Sequence, residues 1–379
     1  MSITRRGLIE WFLGTVAHRM ARKTRPEDIR AFMRKKAFRR AEISQPTECR
    51  RVQVAVVQEQ IAVLKTYKAY AERMIGFVQS AVDQGAQLVC FPEENGVLLF
   101  GQIPLIDLIL RLVPNLMAGQ AAPVGKKTLL ENVILPGEKV GIPAAAPGAG
   151  LAPLLSPFSP FLQAAFEATF SEIARGFGVY LMAGSLMMVE GGLLRNRAFL
   201  FDPQGRRVGV QDKAHPIELE IAIGLACGNE LRVFDTALGR LAFPVCMDAT
   251  YFETFKILKK AGAQIVMVPI ANLEAYEYSL TLRGIWPRVQ ESGVYGLKSA
   301  LVGSLAGLEF TGKAGIYAPL ALTADHSGVI AEAKSFDQDE VVCASLDLDQ
   351  IEAYSSDYFS DTNPALYRKY FPGIYQQET

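Results

Sequence analysis

Three six-residue stretches, AQLVCF (86–91), LAFPVC (241–246) and QIVMVP (264–269), carry no charged side chain at any position. A strand that is apolar at every position has no face to give to water, so it must be covered on both sides by helices or by a second sheet. Similar runs recur at VQVAVV (52–57), VYLMAG (179–184), RAFLFD (197–202), SALVGS (299–304) and VVCASLDL (341–348). Helical periodicity lies between some of them. From about Thr66 to Gln84, Ala71, Ile75, Val78 and Val82 line one face, and Gly85 supplies a stop. Further helical stretches are expected near 161–175, 251–261 and 285–293. The pattern is that of a layered α/β fold with strands predominating and no internal repeat.

With 379 residues, half of them hydrophobic, the chain has enough apolar surface for one large core or two modest ones. The formal net charge is zero, which gives no global case for binding nucleic acid. Five cysteines (Cys49, Cys90, Cys227, Cys246, Cys343) are odd in number and form no CxxC pair. Only His18, His215 and His326 are present, and nothing has zinc-ligand spacing. This points to a reducing compartment, hence the cytoplasm, and to no metal or organic cofactor. No apolar run reaches the length of a membrane-spanning helix without Pro or Gly interruptions.

Charge is unevenly distributed. Residues 1–42 hold twelve Lys or Arg against Glu10, Glu27, Asp28 and Glu42, a local excess of eight positive charges. TRRGLI faintly resembles a twin-arginine export signal, but Glu10 and His18 interrupt the apolar part and no small-x-small cleavage site follows. Residues 1–50 are therefore read as a basic helical extension. It is either a solvated appendage or an arm for peripheral contact with anionic lipid or a partner. Residues 51–379 form one domain, broken by an apolar insertion at about 101–165. That insertion holds nine of the twenty prolines, and 140–166 has no charge. Such a composition argues against regular elements and against a polar linker, and favours a cover over an apolar surface.

Three residues stand where strands end. In LVCFPEENG an apolar strand stops at Phe91-Pro92 and presents Glu93. A carboxylate at the mouth of an apolar sheet has its pKa raised by desolvation, which suits a general base near neutrality. In VGVQDKAHPIELE, Lys213 follows a strand; among apolar walls it would be a fixed cation able to stabilise an oxyanion. In LAFPVCMDAT, Cys246 ends an apolar run. Taken alone, it reads as one more small hydrophobe of the core.

The order FPE, DK-x-HP, PVCMD resembles the nitrilase superfamily of carbon-nitrogen hydrolases, over roughly residues 52–372 apart from the insertion. GNELRVFDTALGRLAF before the cysteine, AGAQIVMVP after it, and LDLDQI followed by NPALYRKY add to the resemblance. It implies that Cys246 is the nucleophile, Glu93 the general base and Lys213 the stabiliser of the tetrahedral intermediate. Glu220, seven residues past the lysine, fits a second family glutamate better than Glu218, and Glu94 competes with Glu93 only weakly. Met247, through its backbone N–H, and Asn272 would border the oxyanion and the substrate. The implied fold is an αββα sandwich of the nitrilase type, four-layered once two subunits pair, so that a homodimer or larger homo-oligomer follows.

The implied activity is hydrolysis of a non-peptide C–N bond through a thioester. The substrate would be a small-molecule amide, ahead of an N-carbamoyl compound or a nitrile, with an apolar acyl part suggested by the insertion. Two departures weaken the pattern. The family's Arg-Ala-x-Glu-Asn element reads RVQES (288–292), with Val289 and Ser292 in place of alanine and asparagine, and MDATYFE keeps Asp248 in altered surroundings. N-acyl transfer at a membrane surface, a non-catalytic scaffold and a papain-like pairing of Cys246 with His215 remain as alternatives.

Overall fold

The computed structural model describes residues 5–23, 25–36, 38, 40, 50–103, 150–305, 307–358 and 363–370. In chain order the strands are β1 (Arg51–Gln60), β2 (Leu88–Cys90), β3 (Tyr180–Glu190), β4 (Leu193–Phe201), β5 (Arg207–Asp212), β6 (Phe234–Thr236), β7 (Gly239–Ala242), β8 (Ile265–Ile270), β9 (Tyr295–Leu305), β10 (Leu308–Phe310), β11 (Gly315–Tyr317), β12 (Val329–Glu332) and β13 (Glu340–Asp347). The helices are α1 (Arg5–Lys23), α2 (Pro26–Met33), α3 (Tyr67–Val82), α4 (Ala152–Leu155), α5 (Ser159–Phe177), α6 (Glu218–Ala222), α7 (Phe252–Lys260), α8 (Tyr278–Leu282), α9 (Trp286–Ser292), α10 (Leu348–Tyr358) and α11 (Pro364–Tyr370). Each uncharged run expected to be a strand contains one. LAFPVC does so only at its start, because Phe243-Pro244-Val245 leaves the ladder before the cysteine.

The strand order β5-β4-β3-β2-β1-β9-β8-β7-β6 pivots on β1. β1 runs parallel to β2 over Val54–Val56 and to β9 at Gln58–Gln60, and antiparallel to β13 along Arg51–Gln58. Side-chain alternation then builds three apolar layers. Val54, Val56, Leu88, Met182 and Leu200 pack with Leu241, Ile265, Met267 and Leu297, so the two halves of the sheet face each other. On the opposite face of the first half, Ala55, Val57, Val89, Leu181 and Phe199 meet α3 and α5. On the opposite face of the second, Val266, Val268, Ala300 and Val302 meet α7 and α9. All four layers of the αββα sandwich are therefore made within one chain. The expectation that pairing of two subunits is needed to complete them is corrected, since strands apolar on both faces already find both covers at home.

The sequence around 150–165 also behaves differently from expectation. Residues 104–149 lie outside the described residues, but α4 and the first turns of α5 are regular helix at the end of the span read as irregular, and α5 continues through the helix expected near 161–175. Their prolines sit in the first turns, where no intrahelical N–H bond is lost. The absence of charge has an equally plain cause: Phe161, Leu162, Ala165 and Phe166 are buried core.

The basic extension is not a free appendage. Ala17 and Met20 of α1 and Ile29 and Met33 of α2 are buried in the same core as Phe166 and Phe170 of α5. The apolar side that an arm would lay on lipid is thus turned inward, and Arg19, Arg22, Arg30 and Arg34 remain exposed. No described helix is long and apolar enough to cross a membrane. Because Ile29 is fully enclosed, Ile29→Ala is expected to destabilise the docked extension by about 2–4 kcal/mol. Faster tryptic cleavage within α2 than in wild type is the readout; equal rates would mean that α2 is held by something other than this contact.

Candidate active site

β2 ends at Cys90, and the chain turns through Phe91-Pro92 to a Glu93 that is only 2% exposed. The turn is held by Phe91 N–H donating to Met182 O (2.8 Å) and by Ser299 Oγ donating to Phe91 O (2.7 Å). Gly184 on β3 makes room for it: a Cβ there would lie 2.0 Å from Pro92 O, and its φ of 72° is one that L side chains rarely adopt. The next residue, Glu94, takes φ 57° and lets the chain reverse into the short 3₁₀ helix Asn95–Gln102.

Lys213 directly follows β5 and is also 2% exposed. Its Nζ donates to Glu93 Oε1 and to Glu220 Oε1, each at 2.8 Å. Glu220 comes from the first turn of α6, which orients it by donating Ile217 N–H to Oε2 at 2.8 Å. Glu218, by contrast, is exposed. A fourth member was not anticipated. Asn196 of β4 donates from Nδ2 to Glu93 Oε1 at 2.8 Å and to Glu220 Oε1 at 3.4 Å. Its signal in the sequence is weak, a single polar residue at an inward position of LLRNRAFLF.

Cys246 begins the 3₁₀ turn Cys246–Thr250 with φ 48°, an unusual conformation for a residue with a Cβ and a place where backbone strain is concentrated. Asp248 maintains it. The fully buried Asp248 carboxylate accepts Val245 N–H (2.9 Å), Ala214 N–H (3.0 Å) and His215 N–H (2.7 Å), so it ties the segment after Lys213 to the turn bearing the cysteine. His215 Nδ1 lies 2.9 Å from Asp248 Oδ1, and its ring stacks on Tyr251. The imidazole is thus committed to Asp248, which removes the basis for a papain-like Cys246–His215 pair. Asn272, just past β8, presents Oδ1 to the Cys246 thiol at 3.7 Å, and Met247 lines the cavity beside it.

Burial and charge set the protonation states. Burial pushes the Cys246 thiol well above its usual range; the neighbouring Glu93 adds to this, while Lys213 and the Ala271 backbone N–H oppose it. Burial likewise raises Glu93 against the pull of Lys213. For Lys213, burial alone would lower the pKa, but Glu93, Cys246 and Glu220 together hold it well above the ordinary value. The resting arrangement is a neutral thiol beside an enclosed ammonium that two carboxylates share. Glu93, Lys213, Glu220, Cys246, Met247 and Asn272 all border one cavity of about 380 Å³. The altered RVQES element lies elsewhere: Val289 packs under the second half of the sheet with Ile285 and Val294, and Arg288 pairs with Glu291 at 2.6 Å.

The αββα sandwich is the nitrilase-superfamily fold, shared with amidases of that superfamily among solved structures. The chain belongs to the carbon-nitrogen hydrolase family, whose model matches residues 53–356. It is similar to a probable hydrolase, YhcX, of Bacillus subtilis (27% identity over 175 residues, 44% of this chain and 33% of that one). It also resembles a deaminated glutathione amidase of Yersinia enterocolitica (33% over 112 residues, 26% and 39%). The aligned stretches thus span between about a third and two fifths of these curated relatives. Among solved structures, a variant of the amidase of Nesterenkonia sp. AN1 superposes with a TM-score of 0.60 at 20% identity, covering 86% of this chain and 98% of that one.

Proposed function

We propose that the chain hydrolyses the C–N bond of a non-peptide amide through a thioester on Cys246. The observation that carries this reading is the convergence of Glu93, Lys213 and Cys246, from places 120 and 33 residues apart in the chain, on the floor of one cavity. Because burial keeps the thiol protonated, attack needs an adjacent base. Glu93 takes the Sγ proton as sulfur adds to the amide carbon. The oxyanion forms between the Lys213 ammonium and the backbone N–H of Met247. Collapse breaks the C–N bond, ammonia or an amine leaves with the proton held by Glu93, and the acyl group stays on sulfur. Glu93 then deprotonates a water that attacks the thioester, releasing the acid and returning the proton to Cys246. Glu220 and Asn196 position Lys213 and Glu93. In the Nesterenkonia amidase variant the acetamide moiety of fluoroacetamide is covalently added at the active-site cysteine, which supports a nucleophilic cysteine by analogy.

Release of ammonia or amine by wild type and Cys246→Ala across amides, N-carbamoyl compounds and nitriles tests the proposal. Turnover of any of them that survives the substitution would overturn the thiol route. Product analysis with and without an added amine separates hydrolysis, which gives acid alone, from acyl transfer.

A pH dependence also follows. Burial, and then the charges of Glu93 and Glu220, push the Glu94 carboxyl to about 8, so it is uncharged below that pH. Above it, Glu94 adds a negative charge at the cavity wall near the developing oxyanion. Turnover is therefore expected to fall as pH rises through about 8, and Glu94→Gln should remove that alkaline limb. A limb that persists unchanged in the variant would assign it to another group.

A further inference from the structure

Away from Cys246, the cavity is lined by hydrocarbon. Phe100, Leu155, Leu219, Ile223, Leu305 and Leu308 face it from the 3₁₀ helix after Glu94, from α4, from α6 and its end, and from the β9–β10 hairpin. All six are only half-buried, so they retain apolar surface that a ligand would cover. The lining cations are already engaged. Lys213 serves Glu93 and Glu220, Arg283 pairs with Glu274 at 3.0 Å, and the 2%-exposed Lys298 donates to Thr281 O at 2.7 Å beside the Tyr317 ring. Four carboxyl groups, Glu93, Glu94, Glu220 and Glu274, border the same space.

We infer that this site selects an uncharged hydrocarbon acyl chain and rejects acyl groups that end in a carboxylate. The inference rests on the thioester reading above for the chemistry, and on the cavity for the preference. At the roughly 30 Å³ of a liquid water, 380 Å³ holds about a dozen heavy atoms, three of which belong to the reacting amide. Some eight or nine carbons would fill the rest. Each buried methylene tightens binding by about fourfold, so the gain should accumulate along the chain and level off near that length. A terminal carboxylate would lose its water, find Lys213 and Arg283 already ion-paired and the buried Lys298 held on the Thr281 carbonyl, and meet Glu220 and Glu274, a penalty of about a hundredfold or more.

The test is calorimetric titration of the full-length Cys246→Ala protein with acetamide, butanamide, hexanamide, octanamide and decanamide. Glutaramic acid and its uncharged isostere 5-methylhexanamide are added, with wild-type turnover measured in parallel. A Kd that falls about fourfold per methylene through octanamide and levels off by about decanamide, with glutaramic acid about a hundredfold weaker than the isostere, is the expected result. Leu155→Asn and Leu308→Asn should each weaken octanamide more than acetamide. A flat series, failure of every neutral amide to bind, or tighter binding of glutaramic acid overturns the inference. If the slope is found while wild type turns over none of these amides, the thioester reading fails and the chain-binding preference stands. If wild type hydrolyses short and long amides alike and the titration is flat, the reverse holds.

Discussion

Replacing Cys246 with alanine is expected to lower kcat/KM for any amide the protein turns over by at least about 10⁴-fold while leaving the fold intact. In the proposed mechanism the Cys246 sulfur forms the thioester, and Glu93 and Lys213 act on the charge that develops around it and cannot replace it. The backbone of the turn is held by Asp248, whose carboxylate accepts Val245, Ala214 and His215 N–H without involving the thiol. The thermal midpoint should therefore change little. Intact-mass analysis after incubation with a substrate amide gives a second readout: an acyl adduct on wild type, and none on the variant. An adduct of equal yield on Cys246→Ala would place the reactive group elsewhere, for example at the exposed Cys227.

Lys213→Met should cost both activity and stability, and the stability loss is the more diagnostic. In the wild type one ammonium, 2% exposed, compensates two carboxylates that are themselves 2% and 5% exposed. Removing it leaves Glu93 and Glu220 facing each other in a nearly water-free site, a change that typically costs about 3–5 kcal/mol. Glu93 is already raised by burial with Lys213 opposing, so in the variant its pKa should rise further and the site should take up a proton. Destabilisation should accordingly be greatest at alkaline pH and shrink as pH falls and the carboxyls protonate. Urea denaturation midpoints across pH check this. Glu220→Gln in the Lys213→Met background should recover part of the loss, because one uncompensated charge is gone. Purely additive effects would mean that the three groups are not energetically one cluster. Lys213→Arg should not restore activity, since a planar guanidinium does not fit a pocket shaped around a compact ammonium.

What could be read from the sequence, and what could not, divides along a physical line. The α3 helix was legible because its apolar spacing and the Gly85 stop are local. The strands were legible because an uncharged run of six residues has few other uses. Glu93 and Lys213 could be singled out because each stands just past a strand, whereas Cys246 gained its role only through the resemblance to the nitrilase superfamily; the family spacing that favoured Glu220 over Glu218 agrees with the 2.8 Å bond to Lys213. The other features depend on which strands pair. Asn196 reaches Glu93 across 103 residues of chain because β4, β3 and β2 lie side by side. Asp248 gains its bracing role because the segment after β5 passes over the cysteine turn. The basic residues of the N-terminal extension pointed to a solvated appendage or to an arm for lipid or a partner, yet its buried face is set by the apolar surface that α5 offers. Pro153 and Pro160 argued for irregular chain, yet they occupy first turns of helices, a distinction that composition does not carry.

By itself, then, the sequence determined the layered α/β class, the strand-end chemistry and the order of the reactive residues, because these follow from neighbours along the chain. Only the tertiary structure decided that one chain completes all four layers, that Asn196 joins the carboxylate cluster, and that the cavity wall is hydrocarbon with its cations engaged. Each of those is a contact between distant segments, and its energy exists only once the sheet has brought them together.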